Sequence, residues 1–148
     1  PSVPNFTPAD RPFVIGKAIT MNEGCDVTIV ATGHLVWPAL QAAQILSQKG
    51  VSAEVIDIHT IKPLDEEAIL SSANKTRAVV TAEEHSCNGG LGDAVCQLLG
   101  RKLPTPVEMV AVNDKFGESG TSMQLMNEYH LNADAIVESS LKAIARKN

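Results

Sequence analysis

The sequence predicts an α/β domain with a largely parallel central sheet covered by helices on both faces. Three observations lead there. Short apolar runs rich in β-branched residues, such as Val27–Ala31, Ala53–Ile58, Ala78–Ala82 and Val107–Val112, alternate with helix-length amphipathic segments. That is the pattern of buried strands joined by crossover helices. Two of these runs stop at glycine-marked breaks: Val27–Ala31 passes into Thr32-Gly33-His34, and Ala78–Ala82 into Glu83-Glu84-His85-Ser86-Cys87-Asn88-Gly89-Gly90-Leu91-Gly92. Finally, 148 residues with 44% hydrophobic and 20% charged side chains match a folded domain rather than a disordered chain, and can bury roughly two thirds of the unfolded surface.

The elements follow in order. Residues 1–12 contain Pro1, Pro4, Pro8 and Pro12; proline fixes φ and lacks an N–H, so this stretch is predicted as an extended arm, with the domain over 13–148. Val14–Met21 is predicted as the first strand, closed by Asn22-Glu23-Gly24, and 27–31 as the second. A helix of about 12 to 15 residues then ends at Gly50, burying Leu35, Ala39, Ala42 and Leu46 with Val36, Leu40 and Ala43 beside them. Pro38 fits only in its first turn. Ala53–Ile58 is the third strand, and Asp65 caps a short helix whose first turn holds Glu66 and Glu67. Between them, Thr60-Ile61-Lys62-Pro63-Leu64 reads as structure, because Pro63 disfavours helix at Lys62. The fourth strand is 78–82. Leu91, Ala94, Val95, Leu98 and Leu99 mark the next helix by their helical spacing. A fifth strand, Val107–Val112, precedes a loop over 113–120. Helices at about 121–129 and 133–146 close the chain, the latter capped by Asn132 with Ile136, Val137, Leu141 and Ile144 inward.

Composition narrows the function classes. The net charge of −5 is spread over interspersed acids and bases, without the basic stripe that a nucleic-acid partner requires. Apolar stretches fall well short of the ~20 residues needed to span a membrane. Neither nucleic acid nor membrane is therefore an expected partner. Cys25, Cys87 and Cys96 are odd in number and lack metal-ligand spacing; with no secretory leader visible, a reduced, cytoplasmic protein is the expectation. A first residue of proline suits either initiator removal or a fragment boundary.

Several motifs together resemble the C-terminal domain of transketolase. They are Ile19-Thr20-Met21-Asn22-Glu23-Gly24 before Asp26–Gly33, Asp57-Ile58-His59-Thr60-Ile61-Lys62-Pro63-Leu64-Asp65, Thr81-Ala82-Glu83-Glu84-His85 with Gly89-Gly90-Leu91-Gly92, and Asp114-Lys115-Phe116-Gly117-Glu118-Ser119-Gly120. The resemblance covers residues 14 to 146. The same domain type occurs in deoxyxylulose phosphate synthase and in 2-oxo acid dehydrogenase beta subunits, and the motifs look most like the transketolase branch. The resemblance implies a three-layer α/β/α fold with a five-stranded mixed sheet of order 1-3-2-4-5, strand 1 antiparallel. It implies a holoenzyme that moves a two-carbon ketol unit between sugar phosphates with thiamine diphosphate and magnesium. Partners would be the N-terminal and pyrimidine-binding domains or subunit of the same enzyme, in a homo-oligomer. The chain lacks the Gly-Asp-Gly metal motif, Gly92-Asp93-Ala94 being the nearest match, and the resemblance implies no catalytic, cofactor or metal ligand in this domain. Alone it would be inactive. A free-standing α/β binding or docking module is the alternative from another class; a 2-oxo acid dehydrogenase beta subunit is the alternative within the superfamily. Where relatives usually have Tyr-Gly-Leu, this chain has Tyr129-His130-Leu131, which sets a histidine where a left-handed glycine is expected.

If the third and fourth strands flank the second, a crevice opens between loops 32–34 and 83–90, where open α/β sheets keep functional groups. Thr32, Gly33, His34, Glu83, Glu84, His85, Asn88, Gly89, Gly90 and, from the last loop, Phe116 are the candidate crevice or interdomain contacts. His34, at the end of the second strand, reads either as a ligand contact in the crevice or as a capping or loop histidine meeting a neighbouring domain. His85 beside Glu83 and Glu84 suggests an acid–base or anion-sensing cluster, or a polar interdomain contact. His85 with Cys87 is too sparse for a metal site. Gly89-Gly90-Leu91-Gly92 opens a helix whose N–H groups are able to hold an anion, although tight helix–strand packing requires the same glycines. Phe116 is either an interface anchor or a core residue.

Overall fold

Five strands pair in the order β1-β3-β2-β4-β5: β1 (Ile19–Asn22), β2 (Val27–Ala31), β3 (Ala53–Asp57), β4 (Val79–Ser86) and β5 (Val107–Val112). The computed structural model describes residues 4–6, 9–113 and 119–148. β1 runs antiparallel to β3, and all other pairings are parallel. The implied topology is therefore found. β2 lies at the centre with β3 and β4 on either side, so the chain reverses its direction of winding there and the carboxyl end of β2 becomes a switch point.

Alternation along the strands divides the core. Ile29, Val55, Val80 and Ala82 face α1 (Val36–Gln48) and α5 (Ala133–Ala145), whereas Val30, Ile56 and Val79 face α2 (Glu66–Thr76) and α3 (Leu91–Lys102). Each fully buried Ile or Leu in these layers contributes about 1.5–3 kcal/mol. α1 begins after a 3-10 turn at Gly33–Leu35 and keeps Pro38 in its first turn. The Asp65 carboxylate accepts from Ala68 N at 3.2 Å and from Ala18 N at 2.8 Å, capping α2 and tying it to β1. The inner face of α2 is partly polar: Thr28 Oγ1 bonds Ser72 Oγ at 2.6 Å and Thr76 Oγ1 at 2.7 Å, all buried. Short α4 (Ser122–Glu128) starts on a capping box of Thr121 and Gln124, and Asn132 caps α5 through Ala135 N. Phe6 of the arm stacks on Trp37, with ring centroids 5.6 Å apart.

Four expectations need correction. The first strand starts at Ile19 rather than Val14, because residues 14–17 form a tight turn closed by a Lys17 N–H to Val14 O bond. The third strand ends at Asp57, one residue early. The fourth continues through Ser86 instead of ending at Ala82, because its tail still pairs with β5 at Val112. Leu141 is exposed, and Ser140 and Ala143 take the inward positions on α5.

Candidate functional site

The carboxyl end of the sheet holds a cavity of about 340 Å³ lined by Thr32, Gly33, His34, Ile61, Glu83, Glu84, His85, Gly89 and Gly90. One wall follows β2. Thr32 is extended and its N–H donates to Ala82 O at 3.1 Å, which pins this loop to β4. Gly33 then turns with φ 58°, and His34 is carried out over the crevice.

The facing wall is the tail of β4, whose alternation sends neighbouring side chains opposite ways. Glu83 points toward α3 and is 1% exposed. Its two oxygens each accept one backbone N–H, from Leu91 at 2.9 Å and from Gly92 at 2.6 Å. The first turn of α3 therefore meets an anion supplied by its own chain, favoured by the helix dipole. A Cβ on Gly90 would run into Glu83 Oε1, and one on Gly92 into Met109 Sδ. Close packing is the reason for these glycines. Gly89, at φ 82°, turns the chain and donates to Asp93 Oδ2 at 2.6 Å.

Glu84 points the other way and meets His34: Nδ1 and Oε2 lie 2.7 Å apart, with the side chains 47% and 44% exposed. This pair bridges the two walls of the crevice. His85 is exposed and its Nδ1 lies 3.2 Å from Ser86 O. The suggested cluster of His85 with both glutamates is therefore not formed: Glu83 bonds the α3 amides, Glu84 bonds His34, and His85 bonds neither. Because Glu83 already fills the α3 amides and adds its own charge, the crevice does not fit a diphosphate or comparable polyanion. No group of three or more His, Cys, Asp or Glu able to hold a metal occurs among the described residues. Cys96 is no activated thiol: burial and then the Asp93 carboxylate push it above the usual range. The His34–Glu84 pair is an exposed polar feature at the mouth of the crevice.

Eight of the ten candidate residues thus line one cavity. Asn88 does not line it; its N–H bonds Ser86 Oγ instead. Phe116 lies outside the described residues. Ile61 was missed: it enters from the β3–α2 connection, a stretch that reads as structure in sequence, and only the sheet order brings it to the crevice.

A family profile described as "Transketolase, C-terminal domain" matches residues 16–136. The chain belongs to the transketolase C-terminal domain family. This transketolase C-terminal domain is 49% identical to the 6-deoxy-6-sulfo-D-fructose transketolase subunit SqwH of Clostridium sp. (strain MSTE9), over 92% of the chain and 42% of that protein. It is 39% identical to one of the apulose-4-phosphate transketolase subunits of Phocaeicola vulgatus, over 93% of the chain and 44% of that protein. Among solved structures, a split-gene transketolase described as an inactive beta4 tetramer matches with a TM-score of 0.94 and 45% identity, over 99% of this chain and 48% of that one. The transketolase of Pichia stipitis in complex with sedoheptulose 7-phosphate, 18% identical with a TM-score of 0.66 over 88% of this chain and 18% of that one, shows the fold alone. The transketolase C-terminal domain thus spans less than half the length of each of these relatives.

Proposed function

We propose that this chain is the C-terminal structural and interface part of a transketolase of split or truncated organisation. The holoenzyme transfers a two-carbon ketol unit between sugar phosphates. Thiamine diphosphate, held with magnesium by the N-terminal and pyrimidine-binding lobes, supplies the carbanion-stabilising chemistry when bound. The present chain contributes a scaffold, an interdomain contact at the switch-point crevice and self-association. His34, Glu84 and His85 form the polar part of that contact.

One observation carries this reading. The crevice that an α/β sheet ordinarily uses for a ligand has turned its strongest anion-binding feature, the start of α3, onto its own Glu83. What remains facing outward is an exposed His–Glu pair suited to a protein neighbour. Two of the relatives similar over more than nine tenths of this chain support the reaction class, both being transketolase subunits. The beta4 assembly of the solved relative supports self-association.

The test has two arms. The isolated chain gives no saturable calorimetric signal with micromolar thiamine diphosphate and no ketol transfer. The holoenzyme that contains it turns over ketose phosphates in preference to 2-oxo acids. Tight cofactor binding by this chain alone, or a preference for 2-oxo acids, would overturn the proposal.

A further inference from the structure

The turn at Val14–Lys17 is closed by Lys17 N–H donating to Val14 O at 3.0 Å, with Gly16 at φ 78° in its third position, where a type II turn needs glycine. Two contacts lay it over the segment that follows β3. The Phe13 ring rests on the His59 imidazole with centroids 4.0 Å apart, and Gly16 N–H donates to Thr60 Oγ1 at 3.3 Å. Neither contact is strong. Phe13 stays 65% exposed and Ile15 72%, so closing the turn removes little apolar surface from water. The bond to Thr60 is long for an amide and a hydroxyl oxygen.

Under this thin cover lies an orphaned atom. His59 Nδ1 is 3.1 Å from Thr60 Oγ1, but Nε2 is buried without a hydrogen-bond partner among the described residues, an uncommon state for a polar atom. When Nδ1–H donates to Thr60, a neutral ring leaves only a bare lone pair at Nε2. A further proton changes this whichever nitrogen held the first, because the cation carries N–H at both positions and Nε2–H then has no acceptor. The charged side chains on the segments that meet here are Asp57 on β3, Arg11 and Lys17 on either side of the turn, Lys62 after β3, and Asp65 at the cap of α2. Arg11 bonds Thr20 O, and Asp65 is occupied by the Ala18 and Ala68 amides. Asp57 lies near enough to interact with the imidazole charge but does not bond Nε2. The two lysines and the arginine add only like charge.

We propose that residues 13–17 form an acid-released lid on His59, closed over the neutral imidazole and lifted when the ring takes up a proton, so that Nε2–H reaches water. The closed state would bury a charged donor with no acceptor, and it gains only a small apolar contact and one long hydrogen bond in return. The open state therefore accepts the proton more readily than the closed one, and acid populates it. Ile61, two residues beyond His59, lines the switch-point cavity, so release of the lid loosens one edge of the crevice. The lid is built from this chain alone and does not depend on the reaction proposed above.

Amide exchange followed by NMR on the full chain between pH 8 and pH 5, the interval in which histidines change charge, tests this. Protection of the Gly16 and Lys17 amides, corrected for intrinsic exchange at each pH, falls by roughly 10-fold, the factor that one buried unpaired donor sets. The ring-current shift that Phe13 imposes on the His59 ring protons fades over the same interval, while amides of β2 and β4 keep their protection. His59→Phe keeps an aromatic partner for Phe13 but takes no proton, so its turn stays protected throughout; circular dichroism and Tm at pH 8 check its fold. Phe13→Ala removes the cover, and its turn is unprotected already at pH 8. Asp57→Asn retains the pH dependence, which separates the imidazole from the carboxylate beside it. Three results would overturn the proposal: protection in the parent that is flat with pH, protection that rises in acid because the Phe13 face holds the imidazolium as a cation–π partner, or a pH dependence that survives in His59→Phe or is lost in Asp57→Asn.

Discussion

His130 has φ 55°, a left-handed conformation that costs a residue with a Cβ about 1 kcal/mol relative to glycine. It is held there by the two bonds that end α4: His130 N–H donates to Asn127 O at 3.0 Å and Leu131 N–H to Met126 O at 2.7 Å. This is the Schellman arrangement, in which the left-handed residue is usually glycine. His130→Gly should therefore raise stability by about 1 kcal/mol, a Tm gain of a few degrees for a chain of this size. A thermal melt with an unchanged or lower Tm would place the strain elsewhere. This site was legible in sequence because histidine interrupts a Tyr-Gly-Leu pattern. Arg77, left-handed at φ 63° at the end of α2, was not. Nothing in Lys75-Thr76-Arg77-Ala78 announces a helix end, which arises when Arg77 N–H bonds back to Ala73 O.

At the scale of elements, the start of α3 is the joint on which the crevice is built. Helix α3 itself was plain from its apolar spacing, and its glycines from their clustering. The identity of its anion was not. Glu83-Glu84-His85 reads as a polar loop after an apolar run, yet β4 continues through it because the backbone still pairs with β5, with Cys87 N–H reaching Val112 O at 3.0 Å. Once the segment is a strand, alternation buries Glu83 against α3 and turns Glu84 to His34. Apolar pattern reports burial of side chains; it is blind to pairing by backbone. Two substitutions test the joint. Glu83→Ala leaves two buried amides unsatisfied and should cost about 3 kcal/mol or more, measured by urea unfolding. Hydrogen exchange at Leu91 and Gly92 should accelerate in the same variant. Gly90→Ala should destabilise as well, since its Cβ collides with the carboxylate that Glu83→Ala removes. The double variant should therefore cost less than the sum of the two. Strict additivity would separate Gly90 from Glu83.

Over the whole molecule, β3 places carboxylates of opposite character at the two ends of the sheet. At the amino end Glu54, 4% exposed, would be pushed up by burial, but hydrogen bonds from Lys75 and Ser72 outweigh this and hold its carboxyl below the usual range. Lys75, bonded to Glu54 and 3.8 Å from Glu23, is raised in turn. This pair joins the β1–β2 turn, β3 and α2. At the carboxyl end Asp57 is raised by burial, with only the nearby His59 opposing it. The signs then follow from linkage. In acid the unfolded chain binds a proton at Glu54 more readily than the folded one. Its contribution to stability is therefore present above the ordinary value of 4.5 and lost as pH falls through the lower folded value. Asp57 behaves oppositely: the folded state holds its proton longer, so its contribution is present below 3.8 and lost as pH rises through the higher folded value. Asp57→Asn should accordingly stabilise the domain at neutral pH, with the gain shrinking as pH falls through the raised folded value and gone below 3.8, where the parent aspartate is neutral in both states. Glu54→Gln should lower stability at neutral pH and flatten the loss on acidification. Tm measured from pH 3 to pH 8 for the parent and both variants decides the matter. If Glu54→Gln runs parallel to the parent, acid sensitivity does not originate at the amino end of the sheet. If Asp57→Asn is destabilising at neutral pH, the carboxylate makes a contact at the crevice end that outweighs the cost of burying it.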